Sequence, residues 1–129
     1  MLIRTTVVAW LCAPLLLWGQ NTAKTDSLLK ALAVAKKDTS KVLLLYTIAE
    51  QFENSAPDKA KAYITMGGEL SREIGYSLGI MKSYRMLSYV YSYQSKFDSV
   101  IYYNKLVLDM ARSRSDSFKI GVSLFNIGI

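Results

Sequence analysis

A short pattern of residues recurs along the chain at intervals of about forty positions. It consists of a large residue, two variable positions, a second large residue and then a small one. The three copies span residues 45–49, 84–88 and 124–128, and each begins 39 or 40 positions after the one before. Because two helices approach closely only where a small side chain lies between them, this spacing indicates helices that pair in the same way in each copy. Units of this length are typical of helical hairpins that bury their apolar faces by stacking on one another.

Apolar residues at helical spacing, separated by short polar breaks, predict six helices in an all-α fold. The composition agrees, because two prolines and seven glycines leave little room for a turn-rich β fold. Thr25 and Asp26 are expected to cap the first helix, and Asp38, Thr39 and Ser40 the second. Pro57 is expected to begin the third helix, and Gly75 to end it in a left-handed conformation. The expected helices cover residues 27–37, 41–53, 57–74, 77–94, 97 or 98 to 112, and 118–129.

Residues 1–19 have the organisation of a secretory signal peptide. The amino terminus and Arg4 supply positive charge, and an uncharged apolar stretch over residues 7–18 follows. That stretch is too short to span a bilayer, which requires about 20 residues. We expect cleavage after Gly19, with an uncleaved anchor as the main alternative. Lipid attachment at Cys12 is disfavoured, because Leu11 is larger than such signals usually allow.

The residue types argue against catalysis. The chain has no histidine, which removes the usual general base and the commonest metal ligand. Glu50 and Glu53 lie one turn apart, but the sequence near them suggests neither a nucleophile nor a metal site. The 16 basic and 10 acidic residues are scattered, with no run longer than Lys36-Lys37, so they indicate a solvated surface. We therefore expect no enzyme activity, no cofactor and no metal ion, and no nucleic-acid partner for this segment.

The second unit resembles the tetratricopeptide-repeat family. The first helix of that family's repeat has two large positions, a small one and an aromatic one, and a further aromatic position follows the turn. In this chain these positions are occupied, in order, by Tyr84, Leu87, Ser88, Tyr91 and Phe97. Ser95 replaces the usual turn glycine, Asn104 stands where an aromatic is common, and both units exceed the usual length of about 34 residues. The resemblance implies an α-solenoid, with a capping helix at 25–38 and two complete repeats and the first helix of a third at 39–129. A generic helical bundle is the alternative, because amphipathic helices share one period.

In the resembled family, one face of each first helix lines a concave groove that binds peptides. Carried over by position, the groove residues of this chain would be Leu43, Tyr46, Glu50, Glu53, Lys82, Arg85, Tyr89, Tyr93, Val122 and Phe125. Tyrosine and arginine are over-represented at binding hot spots. The resemblance thus implies a protein or peptide partner, unless these aromatic side chains only pack against the next repeat.

The signal peptide, capping helix and repeats together resemble the periplasmic sensor regions of bacterial histidine kinases and membrane-anchored regulators. This resemblance implies an exported binding scaffold at the inner membrane, serving as the input region of a longer signalling protein. A structural or assembly protein built from repeats alone is the alternative. Since the pattern stops inside a third unit, we expect that this chain is part of a longer protein. Leu124 and Ile127 would then lack a covering helix in this chain, and we expect the chain to be prone to self-association. Membrane contact is expected only through the signal peptide or beyond residue 129.

Overall fold

A computed structural model describes residues 22–114 and 117–128, and every regular element in these ranges is an α-helix. This confirms the predicted all-α class. The helix over residues 22–34 is α1, and the others are α2 (Thr39–Phe52), α3 (Pro57–Glu73), α4 (Ser77–Tyr93), α5 (Phe97–Ser113) and α6 (Ser117–Ile127). None of the described helices is both long and apolar enough to cross a bilayer. The predicted signal peptide at 1–19 lies outside the described residues.

The first helix differs from its prediction at both ends. It includes Thr25 and Asp26, which were expected to cap it, and it ends at position 34 rather than 37. Short polar side chains can lie in a helix as well as before it, so the cap signal alone did not locate the start. The chain divides into two compact units with the boundary after Val34. α1 is the described part of the first unit, and α2–α6 belong to the second.

The second unit is built from helices of regular length and spacing. Helices α3 to α6 begin at Pro57, Ser77, Phe97 and Ser117, each 20 residues after the one before. Each of α3, α4 and α5 is 17 residues long. Every helix from α2 onward packs against the next one in the chain, and α2 also contacts α4. Because the turns are short, neighbouring helices run antiparallel and form stacked hairpins.

The starts of α2 and α3 follow the local sequence. The carboxylate of Asp38 accepts a hydrogen bond of 3.1 Å from the backbone N–H of Lys41, which confirms its predicted role as the N-cap. Pro57 is the first residue of α3, where its missing N–H costs no hydrogen bond. These local signals place both helix starts within two residues of their predicted positions.

The turns after α3 and α4 have the same geometry. Gly75 and Ser95 both adopt left-handed backbone conformations, with φ of 69° and 55°. In each turn, the next residue donates its N–H to the carbonyl five positions back, from Tyr76 at 2.7 Å and from Lys96 at 3.0 Å. This is the Schellman arrangement, and it confirms the predicted left-handed Gly75. Ser95 occupies the equivalent position at a steric cost that glycine avoids.

Buried glycines allow α3 to approach both of its neighbours. A Cβ atom at Gly67 would overlap the ring of Tyr46 on α2. A Cβ atom at Gly68 would lie 2.9 Å from the hydroxyl oxygen of Ser83 on α4. The glycine pair therefore marks close approaches of α3 to both neighbours, because one member faces α2 and the other faces α4.

One aromatic contact recurs in successive hairpins. Phe52 on α2 stacks on Tyr63 on α3, with centroids 6.0 Å apart and planes at 11°. Tyr91 on α4 stacks on Tyr103 on α5, at 5.7 Å and 9°. The members of the second pair follow those of the first by 39 and 40 positions. A lysine amino group lies over the first ring of each pair, at 4.6 Å and 5.8 Å.

The last described helix is better covered than the sequence suggests. Leu124 and Ile127 were expected to lack cover, but both are half-buried in α6, which packs against α5. Among the described residues of this helix, the exposed large apolar side chains are instead Val122 and Phe125, at 41% and 83% exposure. The apolar residues that this helix exposes are therefore not the two that the sequence indicated.

Candidate functional site

An open cleft of about 740 Å³ is lined mainly by residues of α4, α5 and α6. Its volume falls within the range of about 300–1,000 Å³ that is typical of ligand sites. Five residues of the predicted groove line this cleft, namely Glu53, Lys82, Arg85, Tyr89 and Val122. The helical spacing on α4 brings the side chains at positions 82, 85 and 89 to one face, because residues three and four apart are neighbours on a helix.

Two further predicted residues adjoin the cleft. The hydroxyl of Tyr93 lies 2.8 Å from that of Tyr89, so this ring extends the surface formed by Tyr89. The carboxylate of Glu50 lies 3.9 Å from the amino group of Lys82. Leu43 and Phe125 are exposed but are not among the lining residues. The structure thus brings most of the predicted set together around α4.

Tyr46 requires a correction, because its side chain is fully buried. Its hydroxyl donates a hydrogen bond of 2.7 Å to the carbonyl oxygen of Gly79 on α4, and burial raises the pKa of this phenol. The spacing on α2 grouped Tyr46 with exposed Glu50, but the space above Gly67 on α3 admits the ring into the core. Tyr46 therefore cannot contact a partner. Its ring instead contacts a residue of the cleft, because the amino group of Lys82 lies 5.6 Å from the ring centroid.

The two cations of the cleft differ in how they are held. Lys82 is restrained by Glu50 and by the ring of Tyr46. Arg85 is exposed, and within the described ranges its guanidinium has no ion pair or hydrogen bond to another side chain. Arg85 is therefore the cation that is free to bind a ligand.

Tyr89 and Tyr93 form an exposed aromatic pair at one side of the cleft. Their rings meet edge to face, with centroids 4.9 Å apart, and are 48% and 61% exposed. The hydrogen bond to Tyr93 raises the pKa of Tyr89, with a smaller contribution from the carboxylate of Glu53. The pair thus presents large rings with polar tips beside an acidic group, a combination that suits contact with another protein.

Glu53 is an acidic group without a partner on the described part of the chain. It lies just after the last turn of α2 and is half-buried. Burial raises the pKa of its carboxyl, and repulsion from Glu50 adds to the shift. No cation lies within ion-pairing distance of it among residues 22–114 and 117–128. Its charge is therefore left for a ligand to compensate.

Polar residues form the floor of the cleft, and the sequence did not assign them to it. The amide nitrogen of buried Asn104 on α5 donates to the hydroxyl of Ser88 on α4 at 2.8 Å and to the carbonyl of Val100 at 2.9 Å. Both Asn104 and Ser88 line the cleft. The sequence feature that could have indicated this floor is Asn104, which stands where the resembled tetratricopeptide repeats commonly have an aromatic residue. A buried amide requires hydrogen-bond partners, and the small residue opposite it is the available one.

No protein-family model matches the sequence, and no curated protein matches it either. The function of the cleft is therefore inferred from its own geometry. In the part of the chain that the structure describes, no three acidic, histidine or cysteine side chains are grouped to hold a metal ion. What the cleft offers is charge, hydrogen-bonding groups and exposed aromatic rings, which are the elements of a binding surface.

Proposed function

We propose that this chain is a tetratricopeptide-like scaffold that binds a segment of a partner protein in the cleft beside α4, with no catalytic step of its own. The observation that carries this proposal is the side chain of Arg85, a cation that has no ion pair with the described residues and shares the cleft with exposed Tyr89. Arginine and tyrosine are among the residues most enriched at binding hot spots.

The repeat part of the proposal is supported by regularities of the second unit. Helices that begin every 20 residues, and an aromatic stack that recurs in two hairpins, fit a solenoid of two-helix units. A generic bundle has no reason to reproduce one stacked pair at matching positions. The departures at Ser95 and Asn104 remain compatible with this fold, since one completes an equivalent turn and the other is hydrogen-bonded.

We further propose that the protein is exported and acts as the input region of a longer signalling protein. The support is the charged start and apolar stretch of residues 1–19, which are typical of a signal peptide. Fusion of this segment to a reporter enzyme that is active only outside the cytoplasm tests the export. A reporter that stays inactive, although the fusion is made at normal levels, contradicts it.

Selection of short random peptides displayed on phage, with the full chain immobilised, tests the binding function and does not require an identified partner. We expect enriched peptides whose affinity falls about tenfold or more in Arg85→Ala and in Tyr89→Ala, since hot-spot truncations exceed about 1–2 kcal/mol. Helicity by circular dichroism is expected to stay unchanged, because both side chains are exposed. Lys105→Ala is the matched control, as it removes an exposed cation of α5 that does not line the cleft.

Four results would argue against the proposal. If no peptide is enriched over the bare support, or if the two substitutions leave the affinities unchanged, the cleft is not a peptide site. A loss of helicity in Arg85→Ala would assign that side chain a structural role. Concentration-dependent self-association, measured by analytical ultracentrifugation in the absence of any enriched peptide, would favour an assembly protein instead.

A further inference from the structure

The cleft is lined by one anionic and one cationic side chain that do not neutralise each other. Glu53 and Arg85 both line it, yet neither forms an ion pair within the described ranges. The remaining cation, Lys82, is engaged with Glu50 and not with Glu53. Charges of opposite sign on one lining are therefore both available to a ligand.

The place at Glu53 is suited to a positive group. Its side chain is half-buried and lines the same cleft as the exposed ring of Tyr89. Tyr93 adds a second ring, in contact with the first. A carboxylate beside exposed tyrosine rings attracts a cation both directly and through the negative faces of the rings. A lysine or arginine side chain of a partner has the right chemistry for this place.

The place at Arg85 is suited to a negative group. The guanidinium presents several donors in a planar fork, which matches a carboxylate better than any other common side chain. Ser88 lies on the same lining, where its hydroxyl accepts a hydrogen bond from Asn104. A glutamate or aspartate side chain of a partner fits this place.

We infer that the cleft selects partner segments of mixed charge, in which a cationic side chain binds at Glu53, Tyr89 and Tyr93, and an anionic side chain binds at Arg85. This inference rests on the proposed function, because it requires the cleft to be the binding site. A segment of one sign would satisfy one place and be repelled at the other. The mixed segment satisfies both, which makes charge pattern the basis of selection.

The overall charge of the protein predicts a different preference, and this makes the inference testable. The full chain carries a formal net charge of +6, so long-range attraction alone favours acidic peptides. A preference for peptides of zero net charge cannot arise from that field. It requires the local arrangement of Glu53 and Arg85.

Three pools of fluorescein-labelled peptides, equal in length and random in order, provide the test. One pool contains glutamate and lysine in equal number, the second replaces the lysines by glutamate, and the third replaces the glutamates by lysine. All other positions draw on the same neutral residues. Fluorescence anisotropy with the full chain is expected to show the mixed pool binding about tenfold more tightly than either single-sign pool, the size of one charge-assisted contact.

Two substitutions then assign the places. Glu53→Gln is expected to abolish the tighter binding of the mixed pool relative to the all-glutamate pool. Arg85→Gln is expected to abolish the tighter binding of the mixed pool relative to the all-lysine pool. Asp109→Asn and Lys105→Gln are matched controls, because they remove one charge of each sign from exposed positions of α5 outside the cleft. Both controls are expected to leave the order of the pools unchanged.

The remaining outcomes separate the two proposals. If the all-glutamate pool binds best, the mixed-charge inference is wrong while the cleft remains a peptide site. Equal binding of the three pools, reduced by Tyr89→Ala, also refutes the inference and leaves the proposed function standing. If none of the pools binds, and phage selection also recovers no peptide, both proposals fail together.

Discussion

The hydroxyl of Tyr46 on α2 donates a buried hydrogen bond of 2.7 Å to the carbonyl oxygen of Gly79 on α4. This bond joins the first helices of two successive hairpins at a point where Lys82 lies above the same ring. A residue that the sequence assigned to the partner surface thus holds in place the helix that carries the cleft. Its role is positional, and its removal is expected to affect stability before it affects binding.

Tyr46→Phe is expected to lower the free energy of unfolding by about 1 kcal/mol, because the ring stays packed while one buried hydrogen bond is lost. Urea denaturation followed by circular dichroism measures this change. Tyr63→Phe is the matched control, since the hydroxyl of Tyr63 has no hydrogen bond to the described residues and should contribute less than about 0.5 kcal/mol. Equal effects of the two substitutions would show that the bond to Gly79 carries no net stability.

Gly67→Ala is expected to destabilise the protein by about 1–3 kcal/mol, because the added methyl group would overlap the ring of Tyr46. Helix propensity alone predicts the opposite, a gain of roughly 1 kcal/mol. Thr65→Ala, on the exposed face of the same helix, should show a small propensity gain without the overlap. If thermal denaturation finds both variants more stable than the parent chain, α2 and α3 are not in close contact at Gly67.

Ser95→Gly is expected to stabilise the protein by about 1 kcal/mol, because glycine adopts the left-handed conformation at φ 55° without steric cost. The reciprocal change, Gly75→Ser, places a side chain in the equivalent turn at φ 69° and should lose a similar amount. The midpoints of chemical denaturation compare the two. A change of the same sign in both variants would contradict the equivalence of these turns.

Glu53→Gln is expected to stabilise the protein at neutral pH by about 0.2–0.5 kcal/mol, the size of one repulsion between like charges on a helix. Burial and repulsion from Glu50 raise the pKa of Glu53 in the folded state, so the folded protein holds this proton more tightly than the unfolded chain does. The favourable contribution of the protonated carboxyl is present at low pH and is lost as the pH rises through the folded pKa.

The advantage of Glu53→Gln should therefore be clear at pH 7 and disappear below about pH 4, where the carboxyl is protonated in both states. Thermal unfolding of the variant and the parent chain across this range gives the comparison. Glu69→Gln, at an exposed position of α3, is the control and should show little dependence of this kind. An advantage for Glu53→Gln that persists at low pH would assign the effect to packing rather than to charge.

The extent of the helices in the second unit could be predicted closely because the signals that begin and end them are local. Pro57 begins α3, Asp38 caps α2, and Gly75 ends a helix in the conformation expected of it. Each of these effects involves a residue and its near neighbours in the chain. The first helix is the exception, since Thr25 and Asp26 can serve as helix residues or as caps, and only the longer context distinguishes the two.

The candidate site was predicted in part for the same reason. Lys82, Arg85 and Tyr89 lie on one face of α4 by their spacing alone, so the sequence groups them correctly. Spacing also grouped Tyr46 with Glu50, and it could not reveal that a glycine on another helix leaves room for the ring. The direction of a side chain follows from the helix that carries it, whereas its burial depends on what lies opposite.

Residue order was therefore sufficient for the helical class, the main turns and the polar face of α4. The pairing of Asn104 with Ser88, the burial of Tyr46 and the absence of any ion pair between Glu53 and Arg85 in the described residues were decided only when the helices packed. Capping and helical spacing act over three or four residues. Burial and charge pairing depend on residues that are 16 to 33 positions apart in the chain, as in the hydrogen bonds from Asn104 to Ser88 and from Tyr46 to Gly79.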